Sequence, residues 1–419
     1  MGEYWLVNET SRVKLTKEDQ DLIKKIFDEE GIAYHPGTMF QDTGQLSGAL
    51  MKGFGKRATE YATDDNLAYS MMEINLMRFG YNKNIAEITE LNQALRASEN
   101  FNDFKAQATD IISTFRVHHL RTEYDTAVAT GQNAARYFNQ VSEAGIFPYL
   151  QYQTAGDDKV REEHASLDGK VFSIRDPDLD AIYPPNGFNC RCEMIQIDSD
   201  EGAAIGITSG SEGKGLLGDE WDAMQKNGFD VNKAVAGEVF DLNKIYASQL
   251  EGAGAKDLYD LDFTDIGLND AHGLQAALKH GKMPLDDLSQ DSILKAFDKK
   301  AVMVGDKKMN ILEDYAGRPI GLQRETVAGQ TSGSYLSPGE KRNAIYTNLK
   351  QVLNSPDEVW MTPETGDAYR YRYIRYYKDD LMMTDVMIDR ENGRRIVGWT
   401  RNMGSEKQAR KGLLIYGSE

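Results

Sequence analysis

The sequence predicts a multidomain α+β protein. A helical N-terminal region leads into a small α+β unit with a Cys-x-Cys loop, and the chain ends in one helix followed by a largely antiparallel sheet. Three observations carry this. Apolar residues recur at helical spacing through the first third. The only two cysteines sit one residue apart in the stretch Pro184–Cys192, PPNGFNCRC. The last eighty residues alternate aromatic or branched residues with charged ones, with the hairpin signal Asn392-Gly393 between two such runs.

Taken in order, Thr16 is placed to cap a helix carrying Leu22, Ile23, Ile26 and Phe27, with Gly31 beyond its end. Phe101, Phe104, Ala108, Ile111, Ile112 and Phe115 form an amphipathic stripe. A further helix is expected over about Thr122 to Ser142. From Phe147, FPYLQYQT reads as a strand and LDGKVF as a turn into a second, with a short helix at DDKVREEH between them. Residues 199–218 are rich in Gly and Ser and read as an exposed loop. Ser337-Pro338-Gly339-Glu340 reads as a capping box before a helix carrying Ile345, Leu349 and Val352, stopped by Pro356. Strands follow at EVWMT, AYRYRYIRYYK, DLMMTDVMI, RRIVGWT and GLLIY. The expected divisions are 1–145 helical, 146–246 small α+β, 247–335 a connecting region without legible fold, and 336–419 helix plus sheet.

At 419 residues, with 40% hydrophobic and 27% charged residues, the chain is long enough for two or three cored domains. No apolar run reaches the roughly 18 residues of a membrane span, and the first residues lack a signal-peptide core. Two cysteines cannot build a disulfide framework and a Cys-x-Cys bridge would be strained, which points to a reducing compartment or to none that matters. The net charge of −18 excludes a generally nucleic-acid-coating protein. The charge is uneven, however: Tyr369–Tyr416 holds 11 Lys/Arg against 6 Asp/Glu.

The middle of the chain carries Asp157, Arg161, His164, Asp168 and Gly169, then Pro184, Pro185, Asn189, Cys190, Arg191 and Cys192. This pattern resembles the phage Mu F-like minor head protein (head morphogenesis) family over roughly residues 100–200. The resemblance implies a capsid-interior virion protein that assembles with the portal and other head proteins, with some members leaving the head for the host cytoplasm. By their chemistry, His164, Cys190 and Cys192 are candidate ligands for zinc, with Asp168 or Asp157 as a fourth. The same residues also read as packed thiols beside a hydrogen-bonded imidazole, or as a catalytic cysteine. Arg161 is expected to pair with Asp157 or Asp168 and brace the corner.

The runs YTNLKQVLNSPDEVW, YRYIRYYK, VMIDRENGRRIVGWT and RKGLLIY are similar to phage nuclease domains of the barnase, EndoU, colicin and RelE-like group. That likeness implies a RelE/barnase-like fold and metal-independent RNA cleavage by 2′-OH transesterification. On the strand, Arg370 and Arg372 face one side and Tyr369, Tyr371 and Tyr373 the other. Arg372, Arg395 and Arg401 are candidates for phosphate stabilisation, Lys411 for acid or base, and Thr400 and Tyr416 for orientation or donation. No histidine occurs after His280, so a paired-histidine scheme is unavailable within the block. RNA or tRNA is the expected substrate. The alternatives are a structural head protein whose basic unit binds nucleic acid without cutting it, and a prophage-encoded toxin effector. No cofactor other than zinc is implied.

Overall fold

The computed structural model describes residues 14–253, 255–333, 340–378, 380–401 and 404–417. Ser337, Pro338 and Gly339 of the expected capping box lie outside the described residues.

Five helices build the N-terminal body: α1 (Lys17–Asp28), α2 (Pro36–Phe54), α3 (Asp64–Ala97), α4 (Phe101–Ser113) and α5 (Leu120–Glu143). Thr16 caps α1 in a reciprocal box with Asp19. The stripe Phe104, Ala108, Ile112 seals α4 against Leu22, Ile23 and Ile26 of α1. Helix α3 is buried along much of its 34 residues, because helices cover one side of it and the C-terminal sheet the other. Between α4 and α5 the chain makes one π-helical turn, Thr114–His119. From it Arg116 reaches Asp19, Asp42 and Glu87, while Lys83 joins Asp42 to Glu123.

The strands β1 (Tyr149–Gln153), β2 (Val171–Ser173) and β3 (Glu193–Ile197) form a small antiparallel sheet in the order β2-β1-β3, with α6 (Glu162–Leu167) between β1 and β2. Gly169 takes φ +74° at the turn into β2, the conformation for which glycine is suited.

Residues 199–218 are largely exposed, as their composition suggests, but they are not a loop. They form helices Ser199–Ile205 and Gly210–Leu216, the second opened by a capping box between Ser209 and Glu212. The glycine is there for packing: a Cβ on Gly213 would stand 2.7 Å from the Phe172 ring and 2.8 Å from Ile182.

An eight-stranded sheet ends the fold. Its strands are β4 (Val302–Val304), β5 (Lys307–Glu313), β6 (Pro319–Gln323), β7 (Glu358–Pro363), β8 (Tyr369–Tyr377), β9 (Asp380–Asp389), β10 (Gly393–Thr400) and β11 (Leu413–Gly417). The order is β11-β7-β8-β9-β10-β6-β5-β4, antiparallel except where β10 meets β6. Tyr371 and Tyr373 are buried while Arg370 and Arg372 reach the surface side, as the alternation predicts. Three of the strands come from residues 302–323, a stretch with no legible architecture in the sequence.

The sheet is docked on α3. Met71, Ile74 and Met77 share one apolar core with Tyr371, Val386 and Ile388. Within that contact, Glu73 of α3 bonds Arg394 at 2.5 Å and Arg318 at 3.3 Å. Arg318 is also held by Asp314 at 2.7 Å, which in turn accepts from the Tyr373 hydroxyl at 2.7 Å. Buried guanidinium groups need such partners, since an unpaired buried charge is strongly destabilising.

Candidate nucleic-acid cleft and candidate metal corner

The strands β7 and β8 and the approach to β11 enclose a cavity of about 260 Å³, lined by Trp360, Thr362, Glu364, Arg370, Arg372 and Lys411 among others. Alternation on β8 sends both arginines to this side. Arg370 pairs with Glu364 at 2.9 Å and stands 3.7 Å from Asp385. Arg372 is a brace as well as a lining group. Its Nε and Nη2 donate to both oxygens of Asp385, at 2.7 and 2.9 Å, and its Nη1 to the carbonyl of Gln408 at 2.9 Å. The Lys411 ammonium lies 5.7 Å from the ring centre of Tyr259.

A strap from the connecting region forms one wall. Leu261 accepts from the Gly412 amide at 2.8 Å, and Phe263 donates its amide to the Arg410 carbonyl at 3.2 Å. Arg410 locks the strap from beneath. Its guanidinium is buried, held by Glu358 at 2.5 Å and Glu406 at 2.7 Å, and donates to the Asn269 carbonyl at 2.7 Å. It also lies 4.4 Å from the Phe263 ring centre.

Of the six residues that the sequence puts forward for catalysis, Arg372 and Lys411 meet at this cavity. The others are placed elsewhere. Arg395 pairs with Asp389 at 2.5 Å, and Arg401 donates from Nε to Asp380 at 2.8 Å. Thr400 stands opposite Met383 in the β9–β10 ladder. The Tyr416 ring packs against Tyr315 at 4.2 Å. For Arg395, Thr400 and Arg401 the reason is sheet order, since β10 lies two strands from β8, on the side away from β7 and β11; Tyr416 is on β11 but opposite Val359, not opposite the cavity-lining Trp360. Most of the basic block is thus neutralised by carboxylates that adjoin it in space. Glu364, Arg370 and Tyr259 were not among the sequence candidates. Only Arg370 left a signal, its place in alternation with Arg372. His272 and His280 do not line the cavity; His280 bonds Asp357 at 2.8 Å.

The second cluster is the corner before β3. Cys190 and Cys192 are two apart on a chain nearing extension, so both sulfurs point to one side. His164 comes from α6. Its Nδ1 stands 3.9 Å from the Cys190 sulfur and 3.6 Å from that of Cys192. All three are buried, at 2%, 3% and 4% exposure. The cysteines are not joined by a disulfide. The Tyr152 hydroxyl beside them donates to the Asn186 side-chain oxygen at 2.9 Å.

Both expected fourth ligands are occupied away from the sulfurs. Asp168 accepts from the Thr154 amide and hydroxyl at 2.7 and 2.9 Å, and Asp157 is bidentate to Arg191 at 2.5 and 2.6 Å. Arg191 holds the Asp157 carboxyl down, at about 2. Arg161 therefore pairs with neither. It donates to the Phe188 carbonyl at 2.8 Å and lies 3.4 Å from Glu220. Gly187, at φ +148°, admits it, for a Cβ there would meet the guanidinium at 3.3 Å. Glu220 had no signal in the sequence. It opens the helix Glu220–Asn227 and sets Oε1 3.6 Å from His164 Nε2.

Among the described residues no helix is long and apolar enough to cross a membrane. Residues 86–195 match the Phage Mu protein F like family. Residues 293–417 match the phage-Barnase-EndoU-ColicinE5/D-RelE like nuclease2 family. This second match starts upstream of the 337–416 runs and takes in β4 to β6. Protein F of Escherichia phage Mu, whose name assigns it to capsid assembly, is 35% identical over 88 residues, 21% of this chain and 20% of that protein. The FluMu F protein of the Mu-like prophage in Haemophilus influenzae is 37% identical over 75 residues, 18% of each chain. The chain spans about a fifth of the length of these curated relatives. No solved structure matches it. The chain thus carries a Phage Mu protein F like domain over residues 86–195 and a phage-Barnase-EndoU-ColicinE5/D-RelE like nuclease2 domain over residues 293–417.

Proposed function

We propose that this chain is a minor head protein of a tailed phage or prophage, associated with the portal, and that its C-terminal domain cleaves RNA. The observation that carries the second part is the cavity lined by Arg370, Arg372, Lys411 and Glu364, within the segment matching a nuclease family. A cavity of this polarity suits a phosphodiester flanked by bases, with Trp360 and Tyr259 as its aromatic walls.

The reaction read from these groups needs no metal. Glu364 takes the proton of the ribose 2′-OH, whose oxygen attacks the adjacent phosphorus. Arg370 carries the charge that builds on the non-bridging oxygens. The bond from phosphorus to the 5′ oxygen breaks, and the Lys411 ammonium gives that oxygen its proton. The products are a 2′,3′-cyclic phosphate and a 5′-hydroxyl. Arg372, tied to Asp385, holds the strand geometry rather than supplying a free cation.

The test uses the full chain with total RNA and with tRNA. Lys411→Ala and Glu364→Gln are expected to slow cleavage by about 10²–10⁴-fold each. A folded chain that leaves every RNA intact refutes cleavage. Binding without cutting is the second reading, favoured by the complete internal pairing of Arg372, and retention of RNA by such an inactive chain would establish it. The head reading is checked by a mass-spectrometric inventory of purified particles and by co-purification with portal; absence from the particles overturns it.

A further inference from the structure

We propose that His164, Cys190 and Cys192 bind one zinc ion, with Glu220 orienting the imidazole from its far side. The three ligand atoms all lie within 4.8 Å of one another. The separations decide between packing and ligation. Tetrahedral zinc, with sulfur at about 2.3 Å and nitrogen at about 2.0–2.1 Å, places a nitrogen and a sulfur about 3.6 Å apart. His164 Nδ1 stands 3.6 and 3.9 Å from the two sulfurs, so both nitrogen–sulfur separations match those of a ligated ion to within a few tenths of an ångström.

The protein's own groups leave one ring nitrogen of the corner unsatisfied. His164 Nε2 is buried with no hydrogen-bond partner, and Glu220 at 3.6 Å is beyond hydrogen-bond reach. Ligation through Nδ1 places the ring proton on Nε2, aimed at that carboxylate. This is the carboxylate–histidine–metal arrangement that fixes ring orientation at zinc sites. Two thiolates and one imidazole select zinc over hard cations such as magnesium or calcium.

The corner is also braced as a rigid ligand set needs to be. Asn133 of α5 donates to the Cys192 carbonyl at 3.3 Å, and the Asn189 amide donates to Thr126 at 3.3 Å. Three protein ligands leave the fourth position to water. The compressed Cys-x-Cys spacing is accommodated because Asn189, at φ +58°, bends the chain just before the first thiol. The ion would tie α6, the loop and the start of β3 together.

The experiment is elemental analysis of the full chain, purified without chelator from zinc-supplemented cells. One zinc per chain is expected, and none in the Cys190→Ser, Cys192→Ser double variant. Cobalt(II) exchanged into the wild-type chain is expected to give thiolate-to-metal charge-transfer absorption and intense tetrahedral d–d bands. Glu220→Gln keeps all three ligands, and is expected to weaken zinc affinity about 10–100-fold in a chelator competition. A folded wild-type chain without zinc, or zinc retained by the double variant, overturns the site. Unchanged affinity in Glu220→Gln overturns the role of the carboxylate. If the double variant fails to fold, the cobalt spectrum of the wild-type chain decides.

Discussion

Replacing Glu87 by Gln is expected to change how stability depends on pH. Glu87 lies wholly buried on α3; its Oε2 accepts from Arg116 at 3.2 Å and its Oε1 has no partner. Burial outweighs the arginine and pushes the carboxyl up from 4.5 to about 7. A raised native pKa gives a contribution that is full below the unfolded pKa and lost as pH rises through the folded one. At 1.36 kcal/mol per unit, the loss between about pH 4.5 and about pH 7 is roughly 3 kcal/mol. His35 acts in the opposite sense. Its Nδ1 accepts from the Thr38 amide at 3.2 Å as the cap of α2, and burial lowers it from 6.5 to about 4. The stability it supplies is present above about pH 6.5 and lost as pH falls through about 4, again roughly 3 kcal/mol. The two slopes largely cancel in the wild-type chain. Glu87→Gln removes one and exposes the other. Denaturant titrations across this range are therefore expected to show the variant gaining about 3 kcal/mol on the wild type as pH rises. A difference that stays flat with pH, or that falls, refutes the buried neutral carboxyl.

Two further outcomes follow from the packing. Arg410→Ala leaves Glu358 buried without its partner and is expected to cost about 3–5 kcal/mol. Limited proteolysis should then cut within residues 257–270, which the wild type protects. Gly213→Val forces a side chain into the Phe172–Ile182 contact and is expected to cost about 1–3 kcal/mol by thermal or denaturant melting. The same change at Gly215, where a Cβ meets nothing within 4 Å, serves as the control.

What was legible in the sequence was what is encoded locally. Alternation along Tyr369–Tyr377 and the Asn392-Gly393 turn name their strands without reference to any partner. The cap at Thr16 and the stripe through Phe104 and Ile112 do the same for helices. Residues 199–218 show where composition misleads. The capping box of Ser209 and Glu212 went unread among six glycines, and the reason for Gly213 is an aromatic ring 41 positions upstream. The short strands β4 and β5 pair with sequence neighbours, so the Gly305-Asp306 turn between them was a local signal, whereas the parallel contact of β6 is with a strand some 70 residues later. At the sites, cysteines and histidine could be grouped by their chemistry. Glu220, and the carboxylates that neutralise Arg395 and Arg401, could not, since only folding sets them beside their partners.

The contact of Glu73 with Arg318 and Arg394 bears on how such proteins diversify. Glu73 precedes both family matches, yet it neutralises two arginines that belong to the nuclease-like segment. A recombination joint placed just before residue 293 would transfer the arginines and leave the carboxylate behind, stranded against an apolar surface. Successful exchange of the terminal cassette therefore demands either an incoming sheet with cations at the same two places, or an ancestral junction far enough upstream to carry the long helix with it.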